Sequence, residues 1–196
     1  MQPWAAAQFK AVREGVREPT DSYIDPPLPR SWGRGRDDKD PLVLCAPPGP
    51  TRILMLPRPF EIVPQPGRVL LLFEWDHFTR QIFTDARGHP DGFIRSWMGH
   101  SIGHWDRDTL VVDTTDLNDN TWVDSLGHPQ TEAMHIVERY RRVAADTLEV
   151  DITFDDPKAY TKPWSGHYVF KLRPKIEIGE HVVCEDRLEV PSLPIR

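Results

Sequence analysis

The sequence predicts a mostly β domain, an antiparallel up-and-down β-barrel arranged as a lipocalin-like meander. The chain has 196 residues, which suits a single all-β domain. From Arg52 onward it consists of short runs rich in β-branched and aromatic residues, bounded by turn residues, as is typical of strands. Connections such as 106–108 and 144–146 are short enough for hairpins between antiparallel neighbours. Closure removes exposed edges and favours a barrel; a β-sandwich is the alternative.

The chain divides into an N-terminal part, residues 1–50, and a barrel part, residues 51–196, which together form one structural unit. Apolar residues at helical spacing predict a short helix over 3–17. The stretch from 19 to 50 is rich in Pro, Gly, Asp and Arg and predicts an irregular arm packed on the barrel. Strands are expected at about 52–56, 60–64, 68–75, 80–85, 95–105, 109–115, 133–143, 147–154, 166–173 and 181–190.

Charge and hydropathy argue against two classes of partner. The chain has 24 basic and 30 acidic residues, a net charge of −6, whereas affinity for nucleic acid comes from clustered Lys and Arg. Nucleic acid is therefore not expected as a partner. The apolar residues come in short runs rather than in the stretch of about 18 that a spanning helix requires, so no membrane span is expected. The composition leaves a homo-oligomer open.

The N-terminus and the two cysteines bear on the compartment. Residues 1–7 lack the charged and apolar regions of a secretory signal. We therefore expect either the mature form of an exported protein, periplasmic or secreted, or a cytoplasmic protein. Cys45 and Cys184 could form one bridge, which would stabilise the domain by about 4–5 kcal/mol. Two separate buried thiols are the alternative.

Three acidic residues are candidates for acid–base chemistry because strand alternation places them on apolar faces. Glu138 shares a face with Tyr140, and Asp113 and Glu74 lie in similar alternating runs. A carboxyl group pointing inward has its charged form disfavoured, so its pKa rises toward the range useful for a general acid or base. The alternative is an ion network, for which the candidate partners are Arg80, Arg95, Arg139 and Arg142.

Two longer loops, residues 116–132 and 155–165, carry polar and aromatic side chains. In a meander both loops follow strands that run in the same direction, so we expect them to meet at one mouth of the barrel. Their indole, imidazole and hydroxyl groups could close over an apolar ligand, or they could cap the barrel end by packing. These residues are Trp122, His128, Tyr160 and Trp164.

No metal site and no cofactor are expected. His100 and His104 are the histidines closest in sequence, but on a strand their side chains stand roughly 13 Å apart, too far to share one ion. The chain has no HExxH, CxxC or facial-triad pattern. It also has no nucleophile elbow, P-loop or GxGxxG motif.

Several longer motifs together resemble a known family. They are DTLVVDT at 108–114, NDNTW at 118–122 and DDPKAYTKPW at 155–164. With these motifs the chain is similar, over about 41–185, to a widespread bacterial family of uncharacterised proteins. Members usually carry an export signal, so the resemblance implies a mature exported protein and a bridge between Cys45 and Cys184. The family has no settled activity, so the likeness supplies no catalytic residues.

These observations predict a cofactor-independent acid–base enzyme, of isomerase, lyase, hydratase or cyclase type, acting on a small, largely apolar organic molecule in the barrel cavity. The catalytic candidates are Glu138 or Asp113 as base, His128 or His135 as its partner, and Tyr160 as donor to an oxyanion. The expected substrate-binding residues are Glu74, Trp97, His100, Trp122, Tyr140 and Trp164. The alternative hypothesis is a non-catalytic small-molecule-binding or carrier protein. A third hypothesis is a structural module with a filled barrel. A carboxylate within hydrogen-bond reach of an imidazole would favour catalysis over carriage.

Overall fold

The computed structural model describes residues 1–14, 40–42 and 45–180. Helix α1 spans Pro3–Glu14 and helix α2 spans Gly49–Met55. The strands are β1 (Phe60–Gln65), β2 (Arg68–Phe73), β3 (Thr79–Phe83), β4 (His100–Asp106), β5 (Thr109–Thr115), β6 (His135–Ala144), β7 (Thr147–Asp155) and β8 (Trp164–Lys171). The mostly β fold is therefore confirmed. No helix among the described residues is both long and apolar enough to cross a membrane.

The eight strands form one sheet in sequence order, from β1 at one edge to β8 at the other. All neighbours pair antiparallel except β3 and β4, which run parallel and share two residue pairs, Ile82 with Ser101 and Phe83 with Ile102. The long connection 84–99 makes this parallel step possible, whereas a hairpin would force an antiparallel pair. The sheet curls into a half-barrel. Across its open side, the rings of Phe60 and Phe170 meet edge to face at 5.0 Å.

Two predicted strands differ in the structure. The strand expected over 52–56 is wrong, because residues 52–55 belong to α2 and Leu56 caps its end. Pro50 stands at the start of this helix, where its missing N–H costs nothing, and the segment is buried on every side. The strand expected over 95–105 begins only at His100, because Gly99 has a φ of +64° and interrupts the extended backbone.

The two ends of the chain are described only in part. Helix α1 packs on the loop before β8, where Trp4 Nε1 donates to the carbonyl of Lys158 at 2.8 Å. Asp40, within the predicted arm, accepts hydrogen bonds of 2.8 and 2.6 Å from Arg52. Residues 15–39 and 43–44, which include most of the predicted arm, the predicted strand at 181–190 and Cys184 lie outside the described residues.

The strand register decides which side chains face the core. Val112 of β5 lies opposite Glu138 of β6, which lies opposite Ile152 of β7. This row is buried and faces the inside of the curved sheet. The next residue, Asp113, lies opposite Val137 and faces outward, since successive side chains on a strand point to opposite faces. Each strand thus presents one set of side chains to the core and the other to the outer face.

Candidate functional site

The inner face carries a closed ion network around Glu138. Arg80, 1% exposed, reaches across the sheet to Glu138, 0% exposed, and donates to both carboxylate oxygens, with Nη1 at 2.9 Å from Oε1. The Tyr140 hydroxyl donates to Oε1 at 2.7 Å. The remaining Arg80 donors bond to the hydroxyls of Ser101, at 3.2 Å, and Thr114, at 2.9 Å.

Electrostatics keep this network charged. Burial by itself disfavours the charged guanidinium, but the Glu138 carboxylate outweighs burial and raises the pKa of Arg80. Burial, with the Glu138 charge, raises the pKa of Tyr140 well above its usual 10.0. Glu138 thus points inward as predicted, but it lies in the ion network that the sequence left as the alternative. Its bonds to Arg80 and Tyr140 give it a structural role.

The other two acidic candidates do not face the core. Val69, Leu71 and Phe73 are the buried residues of β2, so the alternate residues, and Glu74 after them, lie on the other side. Glu74 contacts Arg58 at 3.7 Å. The inward placement expected for Glu74 and Asp113 is therefore wrong. The faces alternate as predicted, but apolar content alone did not show which face the curled sheet encloses.

Asp113 is the centre of a polar cluster on the outer face, which we call the outer cluster and define as His89, His100, Asp113 and His135. Asp113 Oδ1 lies 3.0 Å from His89 Nε2 and 2.9 Å from His135 Nε2. The other nitrogen of His89, Nδ1, lies 2.9 Å from His100 Nδ1. An unbroken chain of contacts therefore joins three imidazoles and one carboxylate.

The four side chains of the outer cluster lie on three strands and one loop. His100 begins β4, Asp113 lies in β5 and His135 begins β6, so the sheet sets three positions. His89 comes from the loop 84–99 that links β3 to β4. The Asp113 and His135 side chains are 41% and 42% exposed, whereas His100 is 6% exposed. The cluster is thus open to solvent at His135 and covered at His100.

The hydrogen positions on the imidazoles of His89 and His135 follow from the Asp113 carboxylate, which is their shared acceptor. An ionised carboxylate only accepts, so Nε2 of His89 and Nε2 of His135 each carry a hydrogen. Neutral His135 then has its lone pair on Nδ1, which none of the described hydrogen bonds uses. Burial lowers the pKa of His100 below its usual 6.5, and the adjacent His89 lowers it further.

The loops 116–132 and 155–165 do meet at one end of the sheet, as predicted. The Thr131 hydroxyl donates to Asp156 at 2.8 Å, and the Tyr160 hydroxyl donates to the carbonyl of Pro129 at 2.7 Å. His128 Nδ1 lies 2.6 Å from Asp124 Oδ2.

This end is packed with rings rather than open. Helix α1 covers it, with Phe9 stacked on His128 at 4.4 Å. Trp164 stacks on Phe154 at 4.2 Å, and Trp122 is buried beside Arg52. The geometry matches the alternative that these residues cap the end of the sheet.

Neither of two small pockets found among the described residues includes the outer cluster. One, of about 210 Å³, is lined by Thr109, Arg139, Arg141 and Asp151 on the outer face. The other, of about 190 Å³, lies beside the loop 116–132 and includes Trp122. Trp97, expected to bind substrate, is half-buried in the connection before β4 and lines neither pocket. Within the described ranges, no group of three or more His, Cys, Asp or Glu side chains is arranged to hold a metal ion.

The outer cluster thus brings together three of the predicted site residues, His100, Asp113 and His135, and adds His89. The sequence offered one signal for His89: it stands in a connection too long for a hairpin, and such loops are frequently functional. No family model, curated protein or solved structure matches the chain. The resemblance to an exported bacterial family stays a prediction, and functional proposals rest on the geometry.

Proposed function

We propose that the protein is a cofactor-independent acid–base enzyme whose site is the outer cluster. The observation that carries the proposal is the pair of bonds from Asp113 Oδ1 to the Nε2 atoms of His89 and His135. A carboxylate that holds an imidazole in one tautomer leaves the opposite nitrogen as a proton acceptor, as in the Asp–His pairs of hydrolases. His135 is the general base in this scheme.

The reaction follows from what these groups can do. His135 Nδ1 takes a proton from the substrate, and Asp113 stabilises the imidazolium that forms. In an isomerisation or cyclisation the same imidazolium returns the proton to another atom of the substrate, and in an elimination it gives the proton to the departing group. In a hydration the proton that His135 takes comes from the attacking water, and the imidazolium then protonates the substrate. A general base of this kind contributes roughly 10²–10⁴-fold in rate.

The substrate class follows from the surface beside the cluster. Phe93 packs its ring 5.1 Å from the ring of His100, and the next residue, Ile94, is 86% exposed. Exposed apolar side chains next to charged groups suit a small, largely apolar molecule with one acidic C–H or O–H group. The site lies on the outer face, since the described inner face is filled by core side chains and the Arg80–Glu138 network.

A first experiment tests the base without a substrate. Diethyl pyrocarbonate acylates unprotonated imidazole nitrogen, and mass spectrometry gives the rate at each histidine. We expect His135 to react faster than His104, which is exposed on β4, and Asp113→Asn to remove the difference. Equal rates at the two histidines in the unsubstituted protein would contradict the proposal.

A second experiment tests catalysis. Small ketones, enones and hydroxy acids are incubated with the protein in D₂O, and ¹H NMR follows exchange of the proton next to the carbonyl. We expect His135→Gln to reduce exchange to the buffer rate, and His104→Gln, the matched control, to leave it unchanged. The panel is repeated with EDTA, where unchanged exchange is expected. Loss of exchange that Zn²⁺ restores would contradict the cofactor-free mechanism.

A further inference from the structure

The loop 84–99 has its strongest polar attachment at one histidine. Its ends are held by backbone hydrogen bonds, from Thr84 N to the Gly67 carbonyl at 2.8 Å and from Ser96 N to the Asp116 carbonyl at 3.0 Å. Between these ends, His89 supplies the bonds to Asp113 and His100.

The other described contacts in the middle of the loop are weaker. The ring of Phe93 lies against His100, the guanidinium of Arg87 lies over the Phe83 ring at 4.0 Å, and Arg95 forms an exposed ion pair with Glu132 at 3.5 Å. Exposed ion pairs contribute little to stability. The position of the loop over β4 and β5 therefore depends largely on His89.

The hydrogen bond between His89 and His100 can form only while the two rings together carry no more than one added proton. With both rings neutral, His89 keeps its hydrogen on Nε2 for Asp113, so His100 Nδ1–H donates to His89 Nδ1. With one added proton, His89 has hydrogens on both nitrogens and donates to His100 Nδ1. With a second added proton, both Nδ1 atoms carry hydrogens and neither can accept. The 2.9 Å contact then becomes a repulsion between two cations.

We propose that the His89–His100 pair is a pH-sensitive latch, which holds the loop 84–99 against the outer cluster while it carries no more than one added proton and releases the loop when it carries two. Release withdraws His89 from Asp113 and removes Phe93 and Ile94 from the site. The latch regulates the site of the proposed function, but it rests on the His–His contact and stands or falls independently of catalysis.

The charges around the pair set the pH range of release. On the loop, Arg87 disfavours protonation of His100, and at the end of β5 Asp116 favours it. Asp113 and, beyond it, His135 face the pair from β5 and β6. Because burial and His89 lower the pKa of His100, the second proton enters below pH 6.5, and release is expected on the acid side of that value.

Hydrogen–deuterium exchange of the full chain without substrate tests the latch. Protection of the amides of residues 85–95 is measured from pH 7.5 to pH 4.5 and corrected for intrinsic exchange. The unsubstituted protein should show a step, with the open fraction rising about tenfold for each pH unit through the transition. His100→Phe should exchange rapidly at every pH and show no step. His104→Phe, on the same strand but exposed, should retain the step.

Three results would overturn the latch: constant protection in the unsubstituted protein, a step that persists in His100→Phe, or a step that disappears in His104→Phe. If His100→Phe does not fold, His89→Gln is the second variant, because His89 lies on a surface loop, and it should also abolish the step. Neither acylation of His135 nor exchange of substrate protons enters this measurement. Failure of the latch is therefore distinguishable from failure of the acid–base proposal.

Discussion

Replacement of Glu138 by Gln should be strongly destabilising, because it leaves the Arg80 charge buried without a counter-charge. Both side chains are almost fully buried, and Arg80 donates to both carboxylate oxygens. Removal of one partner of such a pair costs roughly 3–5 kcal/mol. For a domain of this size, about 2–4 °C accompanies each kcal/mol, so the melting temperature should fall by roughly 6–20 °C.

The assay is urea and thermal unfolding of four proteins: the unsubstituted chain, Glu138→Gln, Arg80→Met and the double variant Arg80→Met/Glu138→Leu. The double variant should recover most of the loss, since no buried charge remains; the Tyr140 hydroxyl loses its acceptor, at about 1–3 kcal/mol. Arg141→Gln, which breaks an exposed pair with Glu149, is the control and should cost at most about 1 kcal/mol. If Glu138→Gln costs no more than this control, the pair is not what holds the inner face together.

Three further predictions concern the backbone, an acidic side chain and the cysteines. Gly99→Ala should lower the melting temperature, because Gly99 has a φ of +64° and an added Cβ would lie 2.3 Å from a backbone carbonyl oxygen; Gly88→Ala, where nothing lies within 4 Å, should have little effect. Burial opposes ionisation of Asp124, but the hydrogen bond with His128 outweighs burial and lowers the pKa of Asp124 below 3.8. The ionised form of Asp124 thus stabilises the fold above pH 3.8, and this stability is lost as the pH falls through the lowered pKa. Asp124→Asn should therefore reduce the stability at pH 7. In acid unfolding scans the stability of this variant should decline less steeply than that of the unsubstituted protein. Peptide mass spectrometry without reductant should find Cys45 linked to Cys184, and two free thiols would contradict the bridge.

The sequence predicts the meander well because its information is local. Alternating runs separated by short turns identify seven of the eight strands within a few residues, and the turns at 107–108 and 145–146 are hairpins as expected. Helix α2 was not predicted from the sequence, because a short segment that is buried on all sides shows no alternation of apolar and polar residues. The parallel pairing of β3 with β4 also escaped, since it depends on the path of the loop 84–99 rather than on either strand.

The site is harder to predict, because it depends on which way the sheet curls. Alternation along β6 separates Glu138 from His135, and the structure keeps that separation, but alternation gives no relation between the faces of β6 and β5 and so places Asp113 inward with Glu138. The apolar neighbours of Asp113 suggest the core, yet its face is the outer one. Nothing local joins His89 to Asp113, which come together only when the loop folds back over β4 and β5.

Glu138 and Asp113 lie on opposite faces of the sheet, and their surroundings differ in how easily a proton can be added or removed. Glu138 is surrounded by donors that already use its oxygens, and movement of a proton there would leave Arg80 as an uncompensated buried charge. Asp113 bonds to His89 and His135 on the outer face, where its side chain is 41% exposed, so solvent screens a change of charge there and the core is not disturbed. Chemistry on this fold is therefore expected on the outer face, where changes of charge cost least, while the inner pair holds β3 against β6.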